Sequence, residues 1–175
     1  WINDVNGKWS TTTFYTDVPQ AISTRNYKTP LAVRLDTMMW SPAMDLAKYP
    51  DIPVHKKYYP FRYVFPSSRK DRYSSYKKSA LVNEEVTSVA LDFLKSLNMG
   101  GRGETDMLNI AYTAAPFNDE CGHGSVELQD IYLRLDKQLG RLFDAIDSSV
   151  GLQNTLVFVS STGYFEDNAK TEEKY

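Results

Sequence analysis

A chain of 175 residues that is 42% hydrophobic and 13% aromatic can bury one sizeable core, which excludes a disordered polymer. Its formal net charge of −2, with acids and bases nearly balanced, excludes overall charge as a handle on nucleic acid or a membrane surface. The single cysteine, Cys121, excludes an internal disulfide and a multi-cysteine zinc cage, and no apolar run is long enough to cross a bilayer. No signal peptide opens the chain, which starts at Trp1 in what reads as mid-structure, so a piece of a longer protein is expected.

Asn6-Gly7 followed by the β-branched and aromatic run Trp9 to Tyr15 predicts a hairpin with Trp1-Ile2 as the partner. Asp17 is placed to cap a short helix, with Pro19 near its first turn. Leu31 to Trp40 is apolar and fits strand or helix, and periodicity leaves both open. Residues 41–79 form a long irregular excursion punctuated by Pro42, Pro50, Pro53, Pro60 and Pro66. Within it, His55 to Lys78 carries eight Lys or Arg against one acid, Asp71, interleaved with tyrosines and phenylalanines. That mixture is the raw material of single-strand nucleic-acid binding. The stronger reading has the rings packing a loop over the core while the lysines stay solvated, so no specific nucleic acid is expected as a partner.

Asn83 to Leu97 has one apolar face, Val86, Val89, Ala90, Phe93, Leu94 and Leu97, at helical spacing. Asn83 is read as its cap, Glu84 and Glu85 as dipole-complementing acids, and Gly100-Gly101 as its stop. Residues 107–161 then form the organising unit. An apolar strand (Met107 to Ala114), a loop, an amphipathic helix (Ser125 to Ile146) and a second apolar strand (Thr155 to Ser161) predict a βαβ crossover with parallel strands. Leu135, Leu139 and Leu142 are expected to seat the helix on that sheet, while Arg134, Asp136, Lys137, Arg141 and Asp144 form its solvated face. The fold class is α/β with three layers, and the whole of 1–175 is one partial domain.

In open parallel sheets ligands bind beyond the carboxyl ends of the strands, here residues 113–124 and 161–167. In the first loop Asp119 and His123 stand four apart and can reach one divalent ion, or else serve as a turn former and a helix-entry residue. Cys121 between them reads as a buried thiol. The second loop, Ser160 to Asp167, offers three adjacent hydroxyls and a glycine, which hold an anion or simply make a turn.

Three passages resemble the alkaline phosphatase superfamily, and within it the phosphate-irrepressible alkaline phosphatases and the type I phosphodiesterase/nucleotide pyrophosphatases. Gly7 to Tyr15 is similar to a family hairpin, Ser125 to Leu139 to the helix after the first metal loop, and Asn154 to Val159 to the strand before the second metal pair. The resemblance implies a three-layer α/β enzyme with two zinc ions clamping the oxygens of a phosphoryl transfer, a Thr or Ser nucleophile and an extracytoplasmic location. Here the implied ligands depart. The family's Asp-x-x-x-His pair matches Asp119 and His123 only with a shifted gap; counted back from the helix, Ala115 and Asp119 occupy those positions. Its adjacent Asp-His pair falls on Thr162 and Gly163. The nucleophile and a further carboxylate would precede Trp1, and a last histidine would follow Tyr175.

The expected function is therefore a degenerate, non-catalytic binding or scaffold version of the fold, with no cofactor. The alternative is a metal-dependent phosphate monoester or diester hydrolase that uses zinc at Asp119 and His123 and is completed by residues outside these 175.

Overall fold

The computed structural model describes residues 1–12, 14, 18–49, 52, 54–58, 60–118, 121, 122 and 124–163, with the backbone alone at position 55. Its helices are α1 (Gln20–Lys28), α2 (Leu31–Leu35), α3 (Val54–Tyr58), α4 (Arg72–Lys78), α5 (Leu81–Ser96) and α6 (Val126–Ser149). Two 3-10 turns, Leu46–Lys48 and Leu152–Asn154, and two short strands, β1 (Met39–Trp40) and β2 (Tyr63–Val64), complete the described elements. The protein is thus mixed α and β with mostly helices, and the sheet formed among the described residues is β1 paired antiparallel with β2, Met39 opposite Val64 and Trp40 opposite Tyr63.

The N-terminal hairpin shrinks to one antiparallel bridge, Ile2 to Trp9, closed by a turn in which Gly7 takes φ +68°. A side chain at Gly7 would run into the Tyr73 ring 2.3 Å away, so both conformation and space demand glycine. Asp17 lies outside the described residues, and α1 starts directly after Pro19 without a side-chain cap. The segment left open between strand and helix is both: Leu31–Leu35 is helix and Met39–Trp40 is strand.

Several rings of the excursion belong to the core, while Tyr58 stays exposed. Tyr49, Phe61, Phe65, Tyr73 and Tyr76 are buried, clustered with Ile2, Leu35, Trp40, Phe117 and Ile131. Trp40 lies 4.9 Å from the Phe61 ring and 5.1 Å edge-on from Phe117, contacts that add to simple area burial. Rings so enclosed cannot stack on bases.

Two capping expectations change. Asn83 does not start α5; it is a fully buried residue inside it, and the helix begins at Leu81. The stop is Asn98, left-handed at φ 47°. The Met99 and Asn98 amides return to the Leu94 and Lys95 carbonyls, which satisfies two of the helix's terminal acceptors. Gly100 is also left-handed, and its Cα faces Val150 too closely for a Cβ, 2.7 Å from Cγ1.

The parallel βαβ core is not formed among the described residues. Residues 107–114 and 155–160 belong to no ladder, and α6 packs chiefly on α5. Val126, Leu128 and Ile131 at its start and Leu142 further on are buried, while Leu135 and Leu139 are only half-buried. The physical reason lies in strand edges: an isolated parallel pair leaves an unpaired backbone edge on each strand and is marginal in water. Residues 107–112 nevertheless alternate, with Leu108, Ile110 and Tyr112 turned inward and Met107, Asn109 and Ala111 exposed, which is the period of a strand.

Candidate functional site

The first candidate loop leaves Tyr112 and enters α6 at Ser125, and its flanks are held by α5. The Asn83 amide donates from Nδ2 to the Thr113 carbonyl at 2.8 Å, and its Oδ1 accepts from the Thr113 amide at 2.9 Å. One side chain thus supplies the donor and acceptor that a neighbouring strand would supply. Thr113 Oγ1 donates to the Lys77 carbonyl, and the Tyr112 hydroxyl meets Thr87 Oγ1 at 3.0 Å. Burial pushes the Tyr112 phenol above its ordinary pKa.

Past that clamp, Phe117 is buried against Tyr63 at 4.4 Å between ring centroids, and Cys121 is buried, its amide donating to the Asn118 carbonyl. The Ser125 hydroxyl accepts from the Leu128 amide and caps α6. The loop ends are therefore fixed. Asp119 and His123 lie outside the described residues, as does Glu120. Among the described residues no group of three or more His, Cys, Asp or Glu is gathered in a metal-ligating cluster.

The first two turns of α6 carry two buried carboxylates that local spacing alone does not flag. Glu127, in the first turn of α6, is 1% exposed and accepts from Lys56 Nζ at 3.2 Å and the Tyr63 hydroxyl at 3.3 Å. Asp130 is fully buried and accepts four hydrogen bonds: Trp40 Nε1 at 2.7 Å, the Ala43 amide at 2.7 Å, the Tyr49 hydroxyl at 2.8 Å and Arg134 Nε at 2.8 Å. Burial first, and then the bond to Asp130, push the Tyr49 phenol up to about 12. A signal for both existed: Glu127 and Asp130 fall in the register of the apolar stripe of α6, where a charge must find partners. Arg134, read as solvated, is the partner of Asp130.

The second candidate loop is different in kind. Ser160, Ser161, Thr162 and Gly163 are all exposed, and the bonds described here are local, between Ser161 Oγ and the Gly163 backbone. A Cβ at Gly163 would meet nothing within 4 Å. The donor set at 162 and 163 is one neutral hydroxyl and backbone, which does not fit a zinc ion.

The family profile described as type I phosphodiesterase / nucleotide pyrophosphatase matches residues 3–175. The chain is 25% identical over 212 aligned residues to alkaline phosphatase PafA of Elizabethkingia meningoseptica, covering 98% of this chain and 37% of that protein. It is 25% identical over 175 residues to alkaline phosphatase PhoV of Synechococcus elongatus, covering 92% of this chain and 31% of that protein. The chain thus spans about a third of the length of these relatives. No solved structure matches it. No helix of the described residues is long and apolar enough to cross a membrane. With the profile running nearly end to end, the chain belongs to the type I phosphodiesterase/nucleotide pyrophosphatase family.

Proposed function

We propose that this chain is a non-catalytic binding or scaffold form of the phosphodiesterase fold, with a degenerate metal site. The observation that carries the reading is the chemistry at Thr162 and Gly163: a hydroxyl and a hydrogen atom stand where the family resemblance calls for a carboxylate and an imidazole. Neither replaces an anionic ligand, and a metal held by Asp119 and His123 alone has too few protein ligands for a stable site.

The reading extends to the fold. Residues 107–114 and 155–161 are proposed as parallel strands of one partial domain, 1–175, whose sheet is completed by chain outside these residues. The inward-outward alternation of 107–112 supports this, as does the one-third coverage of the relatives. An extracytoplasmic location follows from the family likeness and is tested by cell fractionation.

The deciding measurement is metal content together with turnover of an aryl phosphate by the purified full-length protein. The expected result is no stoichiometric zinc and no turnover, with or without added zinc. Two zinc ions per chain and turnover that is lost on Asp119→Ala or His123→Ala would replace this reading with an altered-site hydrolase.

A further inference from the structure

A cleft of about 390 Å3 opens between α1, α2, α5 and α6, and none of its lining residues belongs to 113–124 or 161–167. Three guanidiniums line it, Arg25, Arg34 and Arg141, against two carboxylates, Glu84 and Glu85. Their pairing is uneven. Glu85 is 3% exposed and accepts from Arg25 through both oxygens, from Arg34 at 2.7 Å and from Trp9 Nε1 at 3.0 Å, while Arg25 also reaches Asp92 at 2.8 Å. Glu84 faces Arg134 at 3.3 Å.

Arg141 is the exception. Among the described residues its Nη1 donates to two neutral oxygens, Ser88 Oγ at 3.2 Å and Gln138 Oε1 at 3.5 Å, and it meets no carboxylate. A guanidinium has five N–H donors in a planar fork that matches a carboxylate or phosphate. The Ser88 hydroxyl, whose proton goes to the Glu84 carbonyl, can only accept from Arg141 and so holds the fork over the cleft. Met38, Met39 and Leu81 supply apolar wall beside this charge. The volume falls in the range of small-molecule sites, and the lining is mixed, with charged groups beside the apolar wall.

We propose that this cleft binds a small organic anion, an apolar body bearing one carboxylate or phosphate group, with Arg141 as the cation that meets the oxyanion. The site is independent of the metal-loop positions, so it stands or falls separately from the non-catalytic reading. The test is saturation-transfer NMR and calorimetry on the full-length protein with benzoate, phenylphosphonate and, as the uncharged control, benzyl alcohol. One of the two anions should bind saturably with a Kd of about 1 mM or tighter, and the tighter of the two identifies the oxyanion. Arg141→Ala, at an exposed position, should weaken it by roughly tenfold or more. Ser88→Asp, which sets a carboxylate beside Arg141, should weaken it as well. No saturable binding of either anion, equal binding by benzyl alcohol, or unchanged affinity in Arg141→Ala would overturn the proposal; circular dichroism of both variants separates lost binding from lost fold.

Discussion

The two loops that follow the apolar segments face opposite circumstances. The first is tied down on every described side: Asn83 grips Thr113, Phe117 is buried among rings, and Ser125 caps α6. The second follows a segment whose large side chains stand in the open, Leu156 at 79%, Phe158 at 84% and Val159 at 84% exposed. Contacts from α4, α5, α6 and the two short strands set the ends of the first loop. The second loop is set by nothing among the described residues except its own hydrogen bonds, so its final position belongs to whatever covers those side chains. Substitution at the exposed positions 162 and 163 therefore leaves the helical core undisturbed.

The sharpest way to break that contrast is to remove the buried acid that ties Trp40, whose ring packs on Phe117 of the first loop, to α6. Asp130→Ala strips one acceptor from four donors, including a buried indole N–H and the Arg134 guanidinium. Breaking a buried pair from one side costs about 3–5 kcal/mol, which urea denaturation will read directly. Asn83→Ala comes next. It leaves the Thr113 amide and carbonyl without their partner, for a loss of about 1–3 kcal/mol and much faster hydrogen exchange at Thr113. If exchange at Thr113 is unchanged, the clamp does not hold the loop.

A pH titration adds a third test. Burial raises the Glu85 carboxyl, but hydrogen bonds from Arg25, Arg34 and Trp9 outweigh it and hold its pKa below the ordinary carboxylate range. A carboxyl depressed in the folded state contributes stability that is fully present above its unfolded pKa, about 4.3, and is lost as pH falls through the lower folded value. Stability should therefore decline in acid below about pH 4, and Glu85→Gln should flatten part of that slope. An unaltered acid limb in the variant would show that other carboxylates carry it.

How far the sequence could reach follows from the same residues. Helical periodicity reveals α5 and α6 because it depends only on local spacing, and Ser125, expected as the first residue of its helix, is the N-cap of α6. Partners distant in sequence were invisible: Asn83 pairs across 30 residues with Thr113, and Asp130 across 90 with Trp40, so a buried clamp was read as a cap and a buried acid went unnoticed. Proline spacing suggests an irregular excursion, yet Tyr49, Phe61 and Phe65 between the prolines are core. The parallel sheet is the opposite case. Apolar runs predicted strands, but a ladder needs neighbours, and residues 155–160 have none among the described residues. Whether Asp119 and His123 meet lies outside the described residues.

The smallest expected effect is the most useful for the function. Thr162→Asp with Gly163→His should change the thermal midpoint of the protein hardly at all, within about 0.5 kcal/mol of stability. Both positions are exposed, and a Cβ at Gly163 has nothing within 4 Å to strike. Glycine there is free of the left-handed backbone that makes Gly7 irreplaceable, so a histidine adopts the local conformation without strain. The double variant can therefore be assayed for zinc uptake and aryl phosphate turnover as a folded protein. Zinc uptake without turnover would place the remaining deficit at Ala115 and the shifted Asp119–His123 pair. A large drop in midpoint would instead reveal that the second loop is packed against residues other than the described ones, and the contrast between the two loops would have to be redrawn.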